Sequence, residues 1–207
     1  MKTKLALLVG LITTAITLNA PAQLMTIEPD NYAAGTTLDH LFPQLTLGTA
    51  DAANQPMPFF PVTALTENFT GYAPTGTKVF GNAGINFWNN NWRLRMDFSQ
   101  PADFISLAFG GGNYFQGETA RLDAFDSTGS LLASYTSSPR LSSSFETLFI
   151  SRAGGDIAWA VAYLPPDGGS FGRFDRLQFS VVPEPSLFAF LALTTCVGAT
   201  RRLRARG

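Results

Sequence analysis

The sequence predicts an all-β domain, an antiparallel β-sandwich flanked by an N-terminal signal peptide and a short hydrophobic helix at the C-terminus. Several stretches of the chain alternate apolar and polar residues with a period of two, as half-buried strands do. Breaks rich in glycine and proline separate these stretches, for example GGGN at 110–113, AGGD at 153–156 and PPDGGS at 165–170. No long amphipathic helical pattern interrupts them. Many short strands with such turns are typical of a sandwich.

The first 22 residues have the three parts of a secretory signal peptide. Lys2 and Lys4 precede an apolar stretch from Leu5 to Leu18, and Ala20-Pro21-Ala22 provides an A-x-A cleavage site. A buried N-terminal helix is the alternative interpretation, but it does not explain all three parts in this order. The sequence therefore predicts cleavage before Gln23, export of the protein, and a body that spans residues 23–182.

Strands of the body are predicted from alternation and from the turns between them. In RLRMDF, for example, Leu94, Met96 and Phe98 share one face. Pro101 then separates this strand from the next one, and Asp126 to Gly129 has the composition of a hairpin turn. The predicted strands are RLRMDF (93–98), FISLAF (104–109), TARLDAF (119–125), SLLASYT (130–136), DIAWAVAYL (156–164) and DRLQFSV (175–181). A jelly roll is favoured over an immunoglobulin-like topology, since there is no Cys…Trp…Cys frame.

Charge and cysteine content exclude several classes of protein. Between Gln23 and Val182 the chain has 8 Lys and Arg against 14 Asp and Glu, a net charge of −6. An acidic body argues against nucleic acid as a partner, because phosphates require a basic face. Cys196 is the single cysteine, so no intramolecular disulfide can form. The core, with or without a bound ion, must hold the domain together.

The residues that enzymes depend on are scarce, and the sequence predicts no catalytic site. His40 is the single histidine, and no G-x-S-x-G nucleophile elbow accompanies it. One histidine and one cysteine in the tail cannot supply the three or four ligands that zinc requires. No cofactor is therefore assigned, with structural calcium as the one ion that the residue types could serve.

Asp175 is the most informative candidate for a metal ligand. It shares parity with Leu177 and Phe179, which predicts that its carboxylate points inward at the start of the last strand. A buried carboxylate must be paired, hydrogen-bonded or coordinated. The outline resembles carbohydrate-binding jelly rolls, many of which hold a calcium ion between the first and last strands. That resemblance implies Glu28 and Asp30 as partners of Asp175, while a turn-capping aspartate and two solvated acids are the simpler alternative.

A second candidate site lies in INFWNNNWRL. Trp88 and Trp92 could form a platform on which a sugar stacks, with neighbouring asparagine amides bonding the hydroxyl groups. The alternative is that the tryptophans belong to the core or its rim and flank an asparagine-rich turn, because asparagine tolerates the backbone of tight turns. The sequence favours the turn.

The C-terminal tail combines a short motif, an apolar segment and a basic end. Pro183, Glu184 and Pro185 come first, and residues 186–200 form a stretch of 15 uncharged residues. As a helix this stretch is about 22 Å long, which is short for a spanning segment of about 20 residues. It ends in four arginines that would stay on the cytoplasmic side: Arg201, Arg202, Arg204 and Arg206.

This tail, from Val182 to Arg206, resembles the PEP-CTERM sorting signal of exported bacterial proteins. The resemblance implies that an exosortase in the inner membrane recognises Pro183, Glu184 and Pro185 and processes the tail. It further implies a Gram-negative host, transient anchoring in the inner membrane, and final placement at the cell surface or in the extracellular matrix, in association with biofilm and exopolysaccharide. A plain C-terminal membrane anchor is the alternative.

The body also resembles the extracellular sandwich domain that often precedes such tails. The stretches that carry this likeness are TIEPDNYAAGTTLD, RLRMDFSQPADFISLAFG, ARLDAFDSTGSLL and FGRFDRLQF. The resemblance implies fold and location but no activity. The sequence thus predicts a non-enzymatic structural or interaction protein of the surface or matrix, with residues 183–207 as its sorting signal. The alternative is a calcium-stabilised, lectin-like module that binds exopolysaccharide.

Overall fold

The computed structural model describes residues 23–113 and 115–182, so the predicted signal peptide and the predicted sorting signal lie outside the described residues. The described part is all-β and its strand pairs are antiparallel, which confirms the predicted class. Its elements are β1 (Leu24–Ile27), a 3-10 helix (Pro29–Asn31), β2 (Leu45–Ala50), β3 (Val62–Thr66), β4 (Lys78–Asn82), β5 (Arg93–Gly111), β6 (Arg121–Phe125), β7 (Leu131–Thr136), β8 (Phe145–Ser151), β9 (Ile157–Tyr163) and β10 (Gly172–Val181). Within the described ranges no helix is both long and apolar enough to cross a membrane.

Strand β5 is the organising element of the fold. It is 19 residues long and pairs with four other strands. Its first half lies between β2 and β9, where Leu94 is opposite Thr49 on one side and Ala162 on the other. Its second half lies between β10 and β8. The strands therefore form two groups that β5 connects, with β2, β9, β6 and β7 in one and β3, β4, β1, β10 and β8 in the other.

The prediction of two separate strands around Pro101 is wrong, because β5 runs through this proline. The register between β5 and β9 breaks between Asp97 and Ala102, where four residues of β5 lie opposite one residue of β9. Proline is tolerated at such an irregularity because no ladder bond is required from its missing N–H. The Pro101 carbonyl instead accepts a 2.9 Å hydrogen bond from the Val182 N–H.

A single hydrophobic core receives side chains from both halves of β5. Leu94 and Met96 come from the first half, while Ile105, Leu107 and Phe109 come from the second, and all five are fully buried. Because the same cluster contains residues on either side of the irregularity, both halves of the strand must face one interior. Burial of large aliphatic and aromatic side chains contributes about 1.5–3 kcal/mol each, and this core serves a body that contains no cysteine.

The predicted hairpin between β6 and β7 is confirmed. The Asp126 carboxylate accepts hydrogen bonds from the N–H groups of Thr128 and Ser130, both within 2.9 Å. Gly129 has a φ of 84°, a conformation that favours glycine. The hydroxyl of Thr128 is the main reason that the pKa of Asp126 is lowered. Asp126 thus accepts the backbone hydrogen bonds of the turn and Gly129 adopts the positive φ, which are the roles that the sequence predicted for them.

The first and last strands place both ends of the described body side by side. Leu24 of β1 is paired with Ser180 of β10, so the chain begins and finishes the body at the same end. At the other end of β10, Gly172 is paired with Gly111 of β5 and forms a bridge with Trp88. The loops next to Gly172 therefore lie at the end opposite to the chain termini of the body.

We expect Trp88→Phe to destabilise the protein by about 2–4 kcal/mol, because it removes a buried donor and leaves a cavity. Trp88 is 0% exposed, and its indole N–H donates to the Phe80 carbonyl at 2.7 Å. The free energy of unfolding in urea measures the effect. Trp92→Phe is the matched control, since Trp92 is only half-buried. An equal loss in both variants would contradict the prediction.

Candidate metal centre

Three carboxylates meet where β1 gives way to the 3-10 helix. Glu28 follows β1 directly, Asp30 lies inside the 3-10 helix, and Asp175 lies in β10. Because β1 pairs with β10, one oxygen of each carboxylate lies within 4.8 Å of the others. Among the described residues this is the one group of three or more acidic, histidine or cysteine side chains so arranged. The structure thus brings together the three residues that the sequence singled out.

A β-bulge positions Asp175, and the parity argument for its inward direction is wrong. Asp175 lies opposite Ala108 and Gln178 lies opposite Ser106, so β10 has one extra residue here. Arg176, at the bulge, has a φ of 43°, which is rare for a residue with a side chain. The extra residue breaks the parity between Asp175 and Leu177. Asp175 therefore lies on the face opposite to that of Phe174, which is in the core. It is nevertheless fully buried, because the loop between β3 and β4 covers it.

Thr75 of that loop links two of the three carboxylates. Its hydroxyl oxygen lies 2.7 Å from Oδ2 of Asp175 and 2.8 Å from Oε1 of Glu28. A threonine hydroxyl carries one hydrogen and can donate it to one of them only. The other contact between two oxygen atoms then requires a proton on a carboxyl group or a cation close by. The geometry is that of a site which attracts positive charge.

The electrostatics of Asp175 point in the same direction. Burial, together with the negative charge of Glu28, raises the pKa of Asp175 to about 7, against hydrogen bonds from Thr75 and the Arg176 N–H that lower it. At neutral pH the group is therefore divided between its protonated and charged forms. A divalent cation would compete with this proton, because metal ligands must be deprotonated.

Asp30 contributes an oxygen with no partner. Its Oδ1 accepts a 2.9 Å hydrogen bond from the Thr77 N–H and lies 3.9 Å from the ammonium of Lys78. Its Oδ2 is buried and has no hydrogen-bond partner in the described part of the chain. A Cβ on Gly76 would lie 2.1 Å from this oxygen, so only glycine allows the approach. A buried oxygen without a partner is costly.

The donor set fits calcium. Glu28, Asp30 and Asp175 offer carboxylate oxygens and Thr75 offers a hydroxyl oxygen, and calcium takes six to eight oxygen ligands in a flexible arrangement. Nitrogen and sulfur ligands, which zinc prefers, do not occur in the group. The Oδ2 of Asp30, which is buried and has no hydrogen-bond partner in the described part of the chain, is the donor atom best suited to a cation.

Trp88 does not form a sugar platform, and the alternative that the sequence favoured, a core tryptophan beside an asparagine-rich turn, is the arrangement observed. The ring is completely buried, where it packs 6.5 Å from Phe174. Trp92 is half-buried against the core, with its ring 6.2 Å from that of Phe87. The asparagine side chains between them stabilise a turn instead, since Oδ1 of Asn89 accepts hydrogen bonds from the N–H groups of residues 91 and 92 at 2.8 and 2.9 Å.

His40 lies apart from the carboxylate cluster. It is exposed, and its Nδ1 lies 3.4 Å from the hydroxyl oxygen of Thr46. The carboxylate of the adjacent Asp39 accepts a hydrogen bond from the Val62 N–H. That carboxylate thus fixes the start of β3, and burial raises the pKa of Asp39. The environment of His40 is that of a surface histidine.

Sequence reasoning missed the loop residues that complete the cluster. Thr75 and Gly76 are about 45 residues from Glu28 and 100 residues from Asp175, and no periodic pattern connects them. One signal could have found them. Thr-Gly-Thr directly after a proline is a typical turn, and a glycine with a φ of 51° at its centre permits close approach of another side chain.

In the absence of divalent cations, we expect the protein to lose stability as the pH rises from about 4 to about 7. The folded state keeps a proton on Asp175 over this range, while the unfolded chain has already released it, because the pKa is raised from 3.8 to about 7 on folding. The loss should be a few kcal/mol in urea unfolding with a chelator present. Asp175→Asn should flatten the pH dependence, whereas Asp126→Asn should leave it unchanged. Equal slopes in wild type and Asp175→Asn would contradict this assignment.

Comparisons with known proteins show distant likenesses. No family model and no curated protein matches the chain. The K2 cleaved adhesin domain of Lys-gingipain is 13% identical, with a TM-score of 0.45 over 76% of this chain and 99% of that domain. The K1 cleaved adhesin domain of Lys-gingipain from Porphyromonas gingivalis W83 is 10% identical, with a TM-score of 0.34 over 78% and 99%. The enzymatically active domain of tailspike protein 4 from bacteriophage CBA120 is 14% identical, with a TM-score of 0.29 over 67% and 18%. Likenesses this distant transfer no function.

Proposed function

We propose that this chain is an exported, non-enzymatic structural or interaction protein of the bacterial cell surface or extracellular matrix, which an exosortase sorts through its C-terminal tail. The observation that carries the proposal is the order of features along the chain. A signal peptide pattern at residues 1–22 comes first, and Pro183-Glu184-Pro185, an apolar segment and clustered arginines come last. Each feature alone also occurs in proteins of different kinds, but the combination is typical of a protein that crosses the membrane and is then held for processing.

The physical properties of the tail support transient anchoring. Its 15 uncharged residues at 186–200 are a short span for a membrane, and the arginines that follow favour the cytoplasmic side. The body would then face away from the cytoplasm until the tail is processed. Release from such a weak anchor requires no change in the body, because the tail begins directly after β10.

We infer that the body is a sandwich of jelly-roll type. The two groups of strands share β5, and residues from both halves of this strand enter one core. Two groups that face a common interior are what a sandwich requires. Such a fold suits the outside of a cell, because its paired strands satisfy the backbone hydrogen bonds without help from a disulfide. This body contains no cysteine and cannot form one.

A structural or interaction role is also supported by how the titratable groups are used. The carboxylates of Glu67 and Glu118 are buried, the first in an ion pair with Arg173 and the second on backbone N–H groups. His40 is exposed and lies apart from them. These groups support the structure of loops, and none is paired with a nucleophile that it could activate.

The proposal is tested by mass and location in the native host. The intact mass of the surface form should end near the Pro-Glu-Pro motif when the exosortase is present, and the protein should stay in the inner membrane with its arginines when the exosortase is deleted. Replacement of Pro183, Glu184 and Pro185 by alanine should reproduce the deletion. Replacement of Pro165 and Pro166, in a loop of the body, is the matched control. Retention of Arg201 through Arg206 in the surface form would overturn the proposal.

The second candidate function is a calcium-stabilised carbohydrate-binding module. The observation that favours it is the carboxylate cluster, in which the buried Oδ2 of Asp30 has no partner. A calcium ion there would neutralise Glu28 and Asp175 and fasten β1 to β10. The matrix polysaccharide would be the natural ligand of such a module.

We expect calcium to raise the melting temperature of the chelator-treated protein by about 5–10 °C at a concentration 100 times the dissociation constant. Asp30→Asn should abolish most of this rise, because it removes the charge of the ligand oxygen. Asp156→Asn is the control, since that carboxylate is partly exposed and bonded to Arg152 outside the cluster. A melting temperature that does not respond to millimolar calcium would exclude the metal.

A further inference from the structure

Four loop segments near the start of β10 contain no charged residue. They are residues 68–77, 83–92, 112–117 and 168–171, and the described part of them is rich in aromatic, amide and glycine residues. We call this surface the aromatic loop face. It presents three strongly exposed rings, namely Phe115 at 95%, Phe69 at 59% and Phe171 at 42%. In an acidic body, uncharged loops with exposed aromatic rings indicate a binding surface.

The rings of this face are neighbours in space. Phe171 and Phe87 meet edge to face with centroids 4.9 Å apart, and Phe69 lies 5.1 Å from Tyr72. The guanidinium of Arg173 lies over the ring of Tyr72 and also packs where a Cβ on Gly112 would be, next to Phe171. The segments that carry the rings are therefore contiguous, although they come from different parts of the chain.

Glu118 fixes two of the loops to each other. Its carboxylate is buried and accepts hydrogen bonds from the N–H groups of Gly112 and Asn113 in one loop, and of Ser170 and Phe171 in another. A carboxylate that accepts several backbone N–H bonds holds its donors firmly. The loops that carry Phe115 and Phe171 are thereby set in place before any ligand arrives.

Glu67 and Arg173 fix the other two loops. Their buried ion pair has an Nε–Oε2 distance of 2.9 Å. The same glutamate accepts hydrogen bonds from the Phe69 N–H and from the side-chain amide of Asn86. The loop of Phe69 and the loop of Phe87 are thus joined to β10. Rings presented on rigid loops lose little entropy when they bind a ligand.

Exposed amide side chains lie among the rings. Their presence, and the lack of basic residues, favours an uncharged saccharide over a lipid surface or an acidic polymer as the ligand. Asn68, Asn91 and Gln116 are exposed, one in each of three loops. A lipid surface would favour basic residues and continuous apolar side chains, and an acidic polymer would require Lys or Arg. Rings that meet the C–H groups of a sugar face, together with amides that bond hydroxyl groups, suit an uncharged saccharide.

From these observations we infer that the aromatic loop face binds a neutral polysaccharide, through Phe115 and Phe171 in particular. This deepens the proposed function, on which it rests for the presence of a matrix ligand. It also moves the sugar contact from Trp88, which is buried, to phenylalanines on the loops. The face lies near the start of β10, at the end opposite to Leu24 and Val181, where the described body begins and finishes.

The test is affinity electrophoresis of the full chain in gels containing neutral polymers (dextran, mannan, starch or a β-1,3-glucan) or acidic ones (alginate or polygalacturonate). We expect at least one neutral polymer to retard the protein. Phe115→Ala combined with Phe171→Ala should weaken that binding at least about tenfold, which corresponds to about 1.4 kcal/mol. Phe149→Ala, an equally simple truncation of a ring that is 51% exposed on β8, should change it less than about twofold.

Thermal unfolding of the variants checks that each remains folded. The inference is overturned if no neutral polymer retards the folded protein, if acidic polymers or lipid vesicles are bound in preference, or if the double variant binds like the wild type. Failure of the proposed function is a separate result. A chain that binds a neutral polymer but keeps its tail in the inner membrane refutes the sorting, and a correctly sorted chain that binds none refutes only this inference.

Discussion

The continuity of β5 through Pro101 is the constraint on which the rest of the structure depends. A break at this proline would separate the strands paired with residues 93–98 from those paired with residues 102–111, and the core would be divided between two small sheets. Instead one strand of 19 residues pairs with four others and supplies side chains to a single interior. The irregularity opposite β9 permits the change of partners. In a body without cysteine, this shared strand does what a disulfide between sheets does elsewhere.

Buried carboxylates fasten the loops onto this framework, and each compensates its charge in a different way. Glu67 is paired with Arg173, and Glu118 receives four backbone N–H groups from two loops. Asp175 also accepts backbone N–H groups, but it lies against Glu28 and has no basic partner in the described cluster, so burial raises its pKa. A buried charge needs a partner. The first two therefore belong to the structure of the loops, and the third is the one where a cation would add stability.

Period-two alternation in the sequence predicted β6, β7, β9, β10 and both halves of β5, although β6, β9 and β10 contain three or more consecutive buried residues. It did not predict β1, β2, β3, β4 and β8. In β3 and β4, which are five residues long, three and four consecutive residues are buried, so that little alternation remains. The meeting of Glu28, Asp30 and Asp175 was predicted through the resemblance to carbohydrate-binding jelly rolls, and the pairing of β1 with β10 brings it about. The role of Thr75 was not predictable, because Thr75 lies in a loop and no periodic pattern in the sequence gives the path of a loop.

The prediction for Asp175 gave the right neighbours through an argument that fails, and the failure is instructive. Parity with Leu177 placed the carboxylate in the core, but the bulge at Arg176 turns it to the other face, beneath the loop of Thr75. A carboxylate in the core would be surrounded by apolar side chains, whereas one under this loop beside β1 lies next to the oxygen atoms of Thr75 and Glu28. The four residues of β1 pair with β10 alone among the strands. A cation held here would therefore secure β1 against β10 at the end of β1 that is farther from the chain termini of the body. The loop of Thr75 belongs to both sites, because residues 68–77 carry Phe69 on the aromatic loop face and Thr75 beside the carboxylates. Phe115 and Phe171 lie on the loops that Glu118 fixes, so loss of the cation should affect the position of Phe69 more than that of these two rings.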